Sequence, residues 1–383
     1  MIGLHSPSTK YISYDKLKSS INNGWLSSIG PGTKSFEKYV KKYTKSKYVI
    51  ATINGTAALQ LSIASLYPKR SEEILIPDVS FISTVNAVHY NFCKPVFLGV
   101  NENFIICADI LKNFINEKTY FKNGFTYNKI SKKKILALVV VNVFGSLPDL
   151  FKIKKILKGK NIKIIEDAAE SLGSFYLKKN KKIHSGTVGD IGCLSFNVNK
   201  IVTTGGGGMV LAKNLKTFKI IKHLANQSKQ DPINFIHDQI GFNYTLPSIN
   251  ASIGVGQIKK INEIIKIKKR INRIYFKNFS KNNKIEFISV NQKNFSSNFW
   301  LNLIRFKDRS LNLNKIILKL NNKKIIARPI WHPLSLQKYN KNYQRFKTQD
   351  TKKKIKNVLC LPSGCDLTKK QLQYIVKVIN KIS

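Results

Sequence analysis

Ile162-Lys-Ile-Ile-Glu-Asp-Ala-Ala-Glu170 is an apolar run that ends directly in two acids. A short β-branched run of this kind reads as a buried strand. Upstream lie four more: Lys47 to Thr52, Glu73 to Ile76, Pro95 to Leu98, and Ile135 to Val141. Helix-like stretches, Ala57 to Tyr67 and Ser83 to Asn91, fall between them. Continuous Val/Ile runs separated by helices predict parallel strands covered on both faces. Ile191 to Ser195 and Gly208 to Leu211 add two strands, expected to be antiparallel, which makes the sheet mixed. A long amphipathic helix is predicted over Ile249 to Ile267. Strands near Ile285 and Trp300 to Phe306 and helices near Leu313 and Lys369 follow it. The expected architecture is a large mixed-sheet α/β domain over 1–255 and a smaller C-terminal α+β domain over 256–383.

The chain has 383 residues, a length that suits two such domains, and 43% hydrophobic residues, enough for a packed interior. Its net charge of +46 comes mostly from Lys and is spread along the whole chain. Arg, whose planar fork reads phosphate and guanine, is scarce. That pattern predicts attraction for anions without specific nucleic-acid recognition. The longest apolar stretch, Ile135 to Phe144, is too short to span a bilayer and contains Asn142. No secretory signal opens the sequence, so a soluble cytoplasmic protein is expected. Five scattered cysteines form no CxxC pair and no zinc spacing, so no metal site is expected and the thiols read as buried or idle.

In open α/β sheets, ligands bind beyond the carboxyl ends of the strands. Three such places carry candidate chemistry. Asn54-Gly55-Thr56 joins a strand to a helix, where free N–H groups suit a phosphate, although taken alone the segment reads more readily with Thr56 as a plain N-cap. The acids at the end of Ile162–Glu170 need a cation if buried. A protonated pyridine nitrogen of a cofactor is one such partner, and an N-capping Asp is the other reading. Gly189-Asp-Ile-Gly-Cys-Leu-Ser-Phe-Asn-Val-Asn-Lys200 delivers Ser195 and Lys200, and four glycines, 205–208, follow soon after. That run is neither a P-loop nor a dinucleotide fingerprint. A Lys placed there is a candidate imine-forming amine. No GxSxG elbow supports a serine hydrolase.

Together these residues resemble the DegT/DnrJ/EryC1/StrS family of sugar aminotransferases, fold type I pyridoxal-phosphate enzymes. The likeness covers Gly24-Trp25, Phe36-Glu37, Gly55 to Leu59, Pro77 to Asn86, Glu166 to Gly173, His184 to Thr187, Gly189 to Gly208, Gly241 to Gln257 and Arg328-Pro-Ile-Trp331. The resemblance implies that Lys200 holds pyridoxal 5′-phosphate as a Schiff base and is the catalytic residue. It implies that Asp167 pairs with the pyridine nitrogen, that Gly55, Thr56 and Ser195 hold the phosphate, and that Phe81 stacks on the ring. Glu170 stands where many relatives have Gln, near the ring hydroxyl or substrate. Asn243 matches a residue that reaches the phosphate from the neighbouring subunit, which implies a homodimer with shared sites. Arg328 and His332 are candidate substrate contacts, His332 being equally readable as a surface histidine.

Two positions depart from the pattern. Val198 replaces a Gly, and Thr245 replaces an Arg, which puts a phosphate or sugar contact from that side chain in doubt. Some members replace the active Lys with His and dehydrate their sugars, and Lys200 argues against that branch. The wording is most similar to aminotransferases of the legionaminic-acid and bacillosamine type, with perosamine synthases as close cousins. The implied reaction moves nitrogen from L-glutamate to a nucleotide-linked 4-keto-6-deoxy, 2-acetamido hexose for surface polysaccharide or nonulosonic acid synthesis. The alternatives are a perosamine-type enzyme, a cofactor-dependent dehydratase and a basic polyanion-binding protein.

Overall fold

The computed structural model describes residues 1–178, 181–289 and 294–382. Eight strands form its main sheet: β1 (Tyr48–Thr52), β2 (Glu73–Pro77), β3 (Lys94–Leu98), β4 (Ile135–Val141), β5 (Lys163–Asp167), β6 (Ile191–Ser195), β7 (Gly208–Ala212) and β8 (Arg345–Phe346). Their order is β1-β7-β6-β5-β4-β2-β3-β8. β7 is antiparallel to both neighbours. The pairs from β6 through β8 are all parallel. Every residue of β4 is buried, as a strand covered on both faces requires. Because β7 alone is reversed, the loops after β1, β2, β4, β5 and β6 all open at one edge of the sheet.

A second sheet orders Ile285–Ile288, Asn302–Phe306, Val358–Leu361 and Arg328–Pro329, all antiparallel. It has its own core, in which Ile271, Tyr275 and Phe279 of one helix meet Leu372, Ile375 and Ile379 of another. That separate core begins at Ile271, whereas Val255, Ile258, Ile261 and Ile264 pack with the main sheet, so the division at residue 255 stays a proposal. Several features cross it: Ile2 bridges to Ile325, Phe295–Ser296 pairs with Phe175–Tyr176, and β8 leaves the C-terminal segment to pair with β3.

The single helix expected over 249–267 is two, Ser248–Lys259 and Ile261–Phe279, parted at Lys260. The first packs small residues against the helix Pro31–Thr44. A Cβ on Gly254 would come within 2.6 Å of the Phe36 ring. The second carries a one-sided buried stripe of Ile264, Lys268, Ile271, Tyr275 and Phe279. Helices Tyr14–Asn22, Pro31–Thr44, Ala108–Lys118 and Leu215–Ala225 were not anticipated from the sequence. Their buried residues, such as Phe36, Val40 and Thr44, recur at helical spacing among many lysines that obscure the period.

Candidate active site

The loops at the open edge of the sheet enclose a cavity of about 550 Å³. Strand alternation decides which of the two acids after the β5 run faces it. Glu166 points away and is fully buried, accepting N–H groups from Gly186 (2.7 Å) and Val188 (2.7 Å), so it pins the loop before β6. Asp167 faces the cavity. One oxygen accepts from the Thr84 hydroxyl at 2.7 Å and the other from the Ala169 N–H at 3.2 Å. Burial pushes its carboxyl above the ordinary range, with Thr84, Ala169 and Lys200 opposing. Among the described residues no cation is within salt-bridge reach of it.

At the end of β1, Asn54 caps the helix Gly55–Ala64 by accepting the Ala57 N–H at 2.7 Å. The first helical N–H groups, those of Gly55 and Thr56, precede the ladder and point out of the helix start. Ser195, the last residue of β6, lies directly opposite. A Cβ on Gly55 would come within 2.9 Å of the Ser195 Cβ, so only glycine leaves this cup open. Gly208 must also be glycine, since a Cβ there would fall 2.3 Å from the Asn54 carbonyl oxygen.

Lys200 follows a tight turn in which its N–H donates to Asn197 O at 3.0 Å. Gln257 clamps the returning loop from behind, accepting the Thr203 N–H (3.1 Å) and donating to the Thr203 carbonyl (2.7 Å). The Lys200 Nζ lies 3.5 Å from Glu170 Oε1 and 4.1 Å from the centre of the Trp300 ring. Glu170 is buried, and its other oxygen accepts the Phe144 N–H at 2.8 Å. Burial lifts the Glu170 carboxyl to about 7, Lys200 pulling the other way.

Gly55, Thr56, Phe81, Asp167, Glu170, Ser195, Lys200, Arg328 and His332 all line this one cavity. Asn243 does not; it is exposed, bridged to Asn226. The sequence reading did not single out an aromatic wall. Phe144 and Trp331 stack at 4.8 Å, Trp300 lies 6.2 Å from Phe144, and Phe81 meets Trp331 edge-on at 6.1 Å. A signal for Phe144 existed only in its backbone, which is left-handed at φ 55°, a conformation costly for a bulky residue and frequent at functional sites. A second cavity, about 580 Å³, lies at the opposite edge of the sheet, bordered by Lys45, Lys182, Lys213 and Asp190. Size does not separate the two; the first lies beyond the carboxyl ends of the parallel strands, where ligands of open α/β sheets bind. Among the described residues no three His, Cys, Asp or Glu side chains gather as a metal site would need. All five cysteines are free.

The model of the DegT/DnrJ/EryC1/StrS aminotransferase family matches residues 9–380. The GDP-perosamine synthase of Escherichia coli O157:H7 is 28% identical over 383 residues, covering 99% of this chain and 98% of that protein. The UDP-4-amino-4,6-dideoxy-N-acetyl-beta-L-altrosamine transaminase of Campylobacter jejuni is 27% identical over 281 residues, covering 73% and 70%. Among solved structures, Spr1654 of Streptococcus pneumoniae, a candidate sugar aminotransferase in its PLP form, superposes with a TM-score of 0.87 over 100% of this chain and 99% of that one. At 21% identity that likeness establishes the fold.

Proposed function

The chain belongs to the DegT/DnrJ/EryC1/StrS aminotransferase family and is an enzyme of that class; from this premise we propose that it moves an amino group from L-glutamate to C4 of a nucleotide-linked 4-keto-6-deoxy-2-acetamido hexose, with pyridoxal 5′-phosphate as its resident cofactor. The observation that carries the reading is Asp167, a buried carboxylate facing the same cavity as Lys200 with, among the described residues, no cation in salt-bridge contact. A buried charge without a counter-ion is costly. A protonated pyridine nitrogen would supply the missing partner.

The other residues fit the same group. The N–H groups of Gly55 and Thr56 with the Thr56 and Ser195 hydroxyls would hold its phosphate. Phe81 would cover the ring. When bound, the cofactor supplies a carbonyl for amine condensation and a ring that withdraws electrons from the carbon losing its proton. The Lys200 Nζ accepts that proton and returns it to the neighbouring carbon. The aromatic wall of Phe144, Trp300 and Trp331 excludes water from this exchange. Arg328 and His332, both exposed at the cavity rim, are placed to meet the anionic nucleotide.

We place the enzyme in surface polysaccharide or nonulosonic acid synthesis and in the cytoplasm; among the described residues no helix is long and apolar enough to cross a membrane. It works as a homodimer in this reading. The 229–243 segment exposes Ile233, Phe235 and Ile240, which a second copy would cover, and Asn243 of one copy would reach the phosphate cup of the other. Similarity to a GDP-perosamine synthase over nearly the whole chain favours one second reading, a GDP-linked 2-hydroxy sugar. Incubation with L-glutamate and either the UDP-linked acetamido sugar or GDP-4-keto-6-deoxymannose, followed by 2-oxoglutarate release, separates the two. Release with neither, or only with 3-keto sugars, refutes the C4 assignment.

A further inference from the structure

Two hydroxyls behind Asp167 have no part in the reaction as described. Asp78, directly after β2, is buried and accepts the Ser335 N–H at 2.9 Å, which fixes the turn that follows. That turn carries Ser80 and leads into the helix Ser83–Tyr90, whose second residue is Thr84. Ser80, Thr84 and Asp167 are all buried. The Ser80 and Thr84 hydroxyl oxygens lie 2.7 Å apart, and the Thr84 hydroxyl donates to Asp167 Oδ2 at 2.7 Å. Ser80 and Asp167 line the cavity, and Thr84 joins them.

Counting protons fixes the direction of this chain. A hydroxyl has one proton to give. Thr84 gives its proton to Asp167, so it accepts in its contact with Ser80, and Ser80 donates. The Asp167 Oδ1 accepts the Ala169 N–H at 3.2 Å. Both carboxyl oxygens therefore face donors, the surroundings that suit an anion. Thr84 cannot turn away without leaving two buried groups unpaired, which is costly.

We propose that Thr84, aligned by Ser80, is a positioning residue that holds Asp167 as an anion turned toward the cavity, ready for a cationic ring nitrogen. This rests on pyridoxal 5′-phosphate being the cofactor. Burial works against the Asp167 charge; Thr84 opposes it most, ahead of Ala169 and Lys200. Three ionisable groups face Asp167. The Lys200 ammonium, beyond β6, favours the anion. Glu170, beyond β5, is itself raised by the Asp167 charge. Cys193, paired with Asp167 across β6 and β5, is kept protonated by burial.

The test reads binding, without turnover. The full chain, freed of cofactor by dialysis, is titrated with pyridoxamine 5′-phosphate and, separately, with the analogue that carries C–H in place of the ring nitrogen. Binding is followed by the fluorescence of Trp300 and Trp331, which line the cavity. Thr84→Val keeps the outline of the side chain and removes the hydroxyl. Losing a hydrogen bond to a charged group raises a carboxyl by about one unit or more. In the variant Asp167 then carries a proton that must leave before a ring cation can pair with it. Affinity for pyridoxamine phosphate should therefore fall about tenfold at pH 5.5, and the difference should close as the pH rises past about 8. Affinity for the C–H analogue should not fall, since it brings no cation. Thr84→Ser should restore the unaltered behaviour. Ser80→Ala keeps the Thr84–Asp167 bond but loses its alignment; it should show the same pattern reduced to a few-fold, and it decides the matter if Thr84→Val does not fold. Equal loss for both ligands, a loss independent of pH, or no loss overturns the proposal. An unaltered chain that binds neither ligand overturns the cofactor reading, and the proposal with it.

Discussion

Trp300 touches two lysines that share little else. Its ring faces Lys200, and its carbonyl oxygen accepts the Lys268 Nζ–H at 2.7 Å. Lys268 is completely buried, donates also to the Ser363 carbonyl, and among the described residues has no carboxylate in salt-bridge reach. Burial lowers its ammonium to about 8. Lys200 keeps 13% of its side chain exposed, at the wall of a cavity, beside the Glu170 carboxylate. The contrast shows what makes a lysine chemically useful. Burial alone yields a fixed post whose donors are spent on backbone carbonyls. Access from a cavity leaves the amine free to meet a ligand, which is what sets Lys200 apart.

The comparison breaks most visibly if the two are removed in turn. Lys200→Ala should cost at least about 10⁴-fold in 2-oxoglutarate release, since the proton carrier itself is gone, with the urea midpoint of unfolding almost unmoved. Borohydride should then fix no cofactor to the chain. A yellow, borohydride-labelled Lys200→Ala protein would mean another lysine does the work. Lys268→Met should do the reverse. It leaves two buried carbonyls without a donor, which costs about 3 kcal/mol of unfolding free energy, and its effect on turnover should be far smaller.

The pH dependence sharpens the same contrast. The unfolded Lys268 stays protonated up to its ordinary value of 10.5, whereas in the folded chain it loses its proton from about 8. Between those values the unfolded state binds more protons, so this group makes stability rise with pH across that window. Below pH 8 its burial penalty is fully present. The difference between the unaltered protein and Lys268→Met, followed by urea unfolding from pH 7 to 11, should show that rise; a flat difference would place the Lys268 charge elsewhere.

Smaller effects test access. Asn243→Ala should weaken cofactor retention by about 2 kcal/mol if a second copy supplies that hydrogen bond, while leaving the Lys268 stability signature untouched. Full activity in a monomer by light scattering would remove the shared site. Trp300→Phe keeps the carbonyl that serves Lys268 but offers Lys200 a weaker aromatic face. Its effect on 2-oxoglutarate release should stay within ~0.5–1 kcal/mol, a few-fold in rate, with unfolding at high pH unchanged in form.

Much of this frame was legible locally. The run Ile135 to Val141 is a strand over the same residues, and Ile191 to Ser195 likewise, because a continuous β-branched run has few other structures available to it. The helix Gly55–Ala64 begins at the Asn54-Gly-Thr signal. Lys268 was not singled out: the expected helix stopped at Ile267, and a lysine-rich chain hides the one charge on the apolar stripe of Ile261–Phe279. The break at Lys260 was not readable, since the hydrophobic pattern runs through it.

The sequence alone was enough to determine the buried strands of the main sheet, the helices after β1 and β2, the acids at the end of β5, and a lysine beyond β6 with glycines soon after it. These are properties of neighbouring residues, set by backbone sterics and side-chain period. Which of Glu166 and Asp167 enters the cavity, the pairing of Glu170 with Lys200, the aromatic wall drawn from Phe144, Trp300 and Trp331, and the joining of β8 to β3 were decided only by the tertiary structure. Trp300 and Lys200 are a hundred positions apart in the chain. Contacts over such separations follow from how sheets and helices stack, and no local pattern encodes the distance between two side chains that packing brings together.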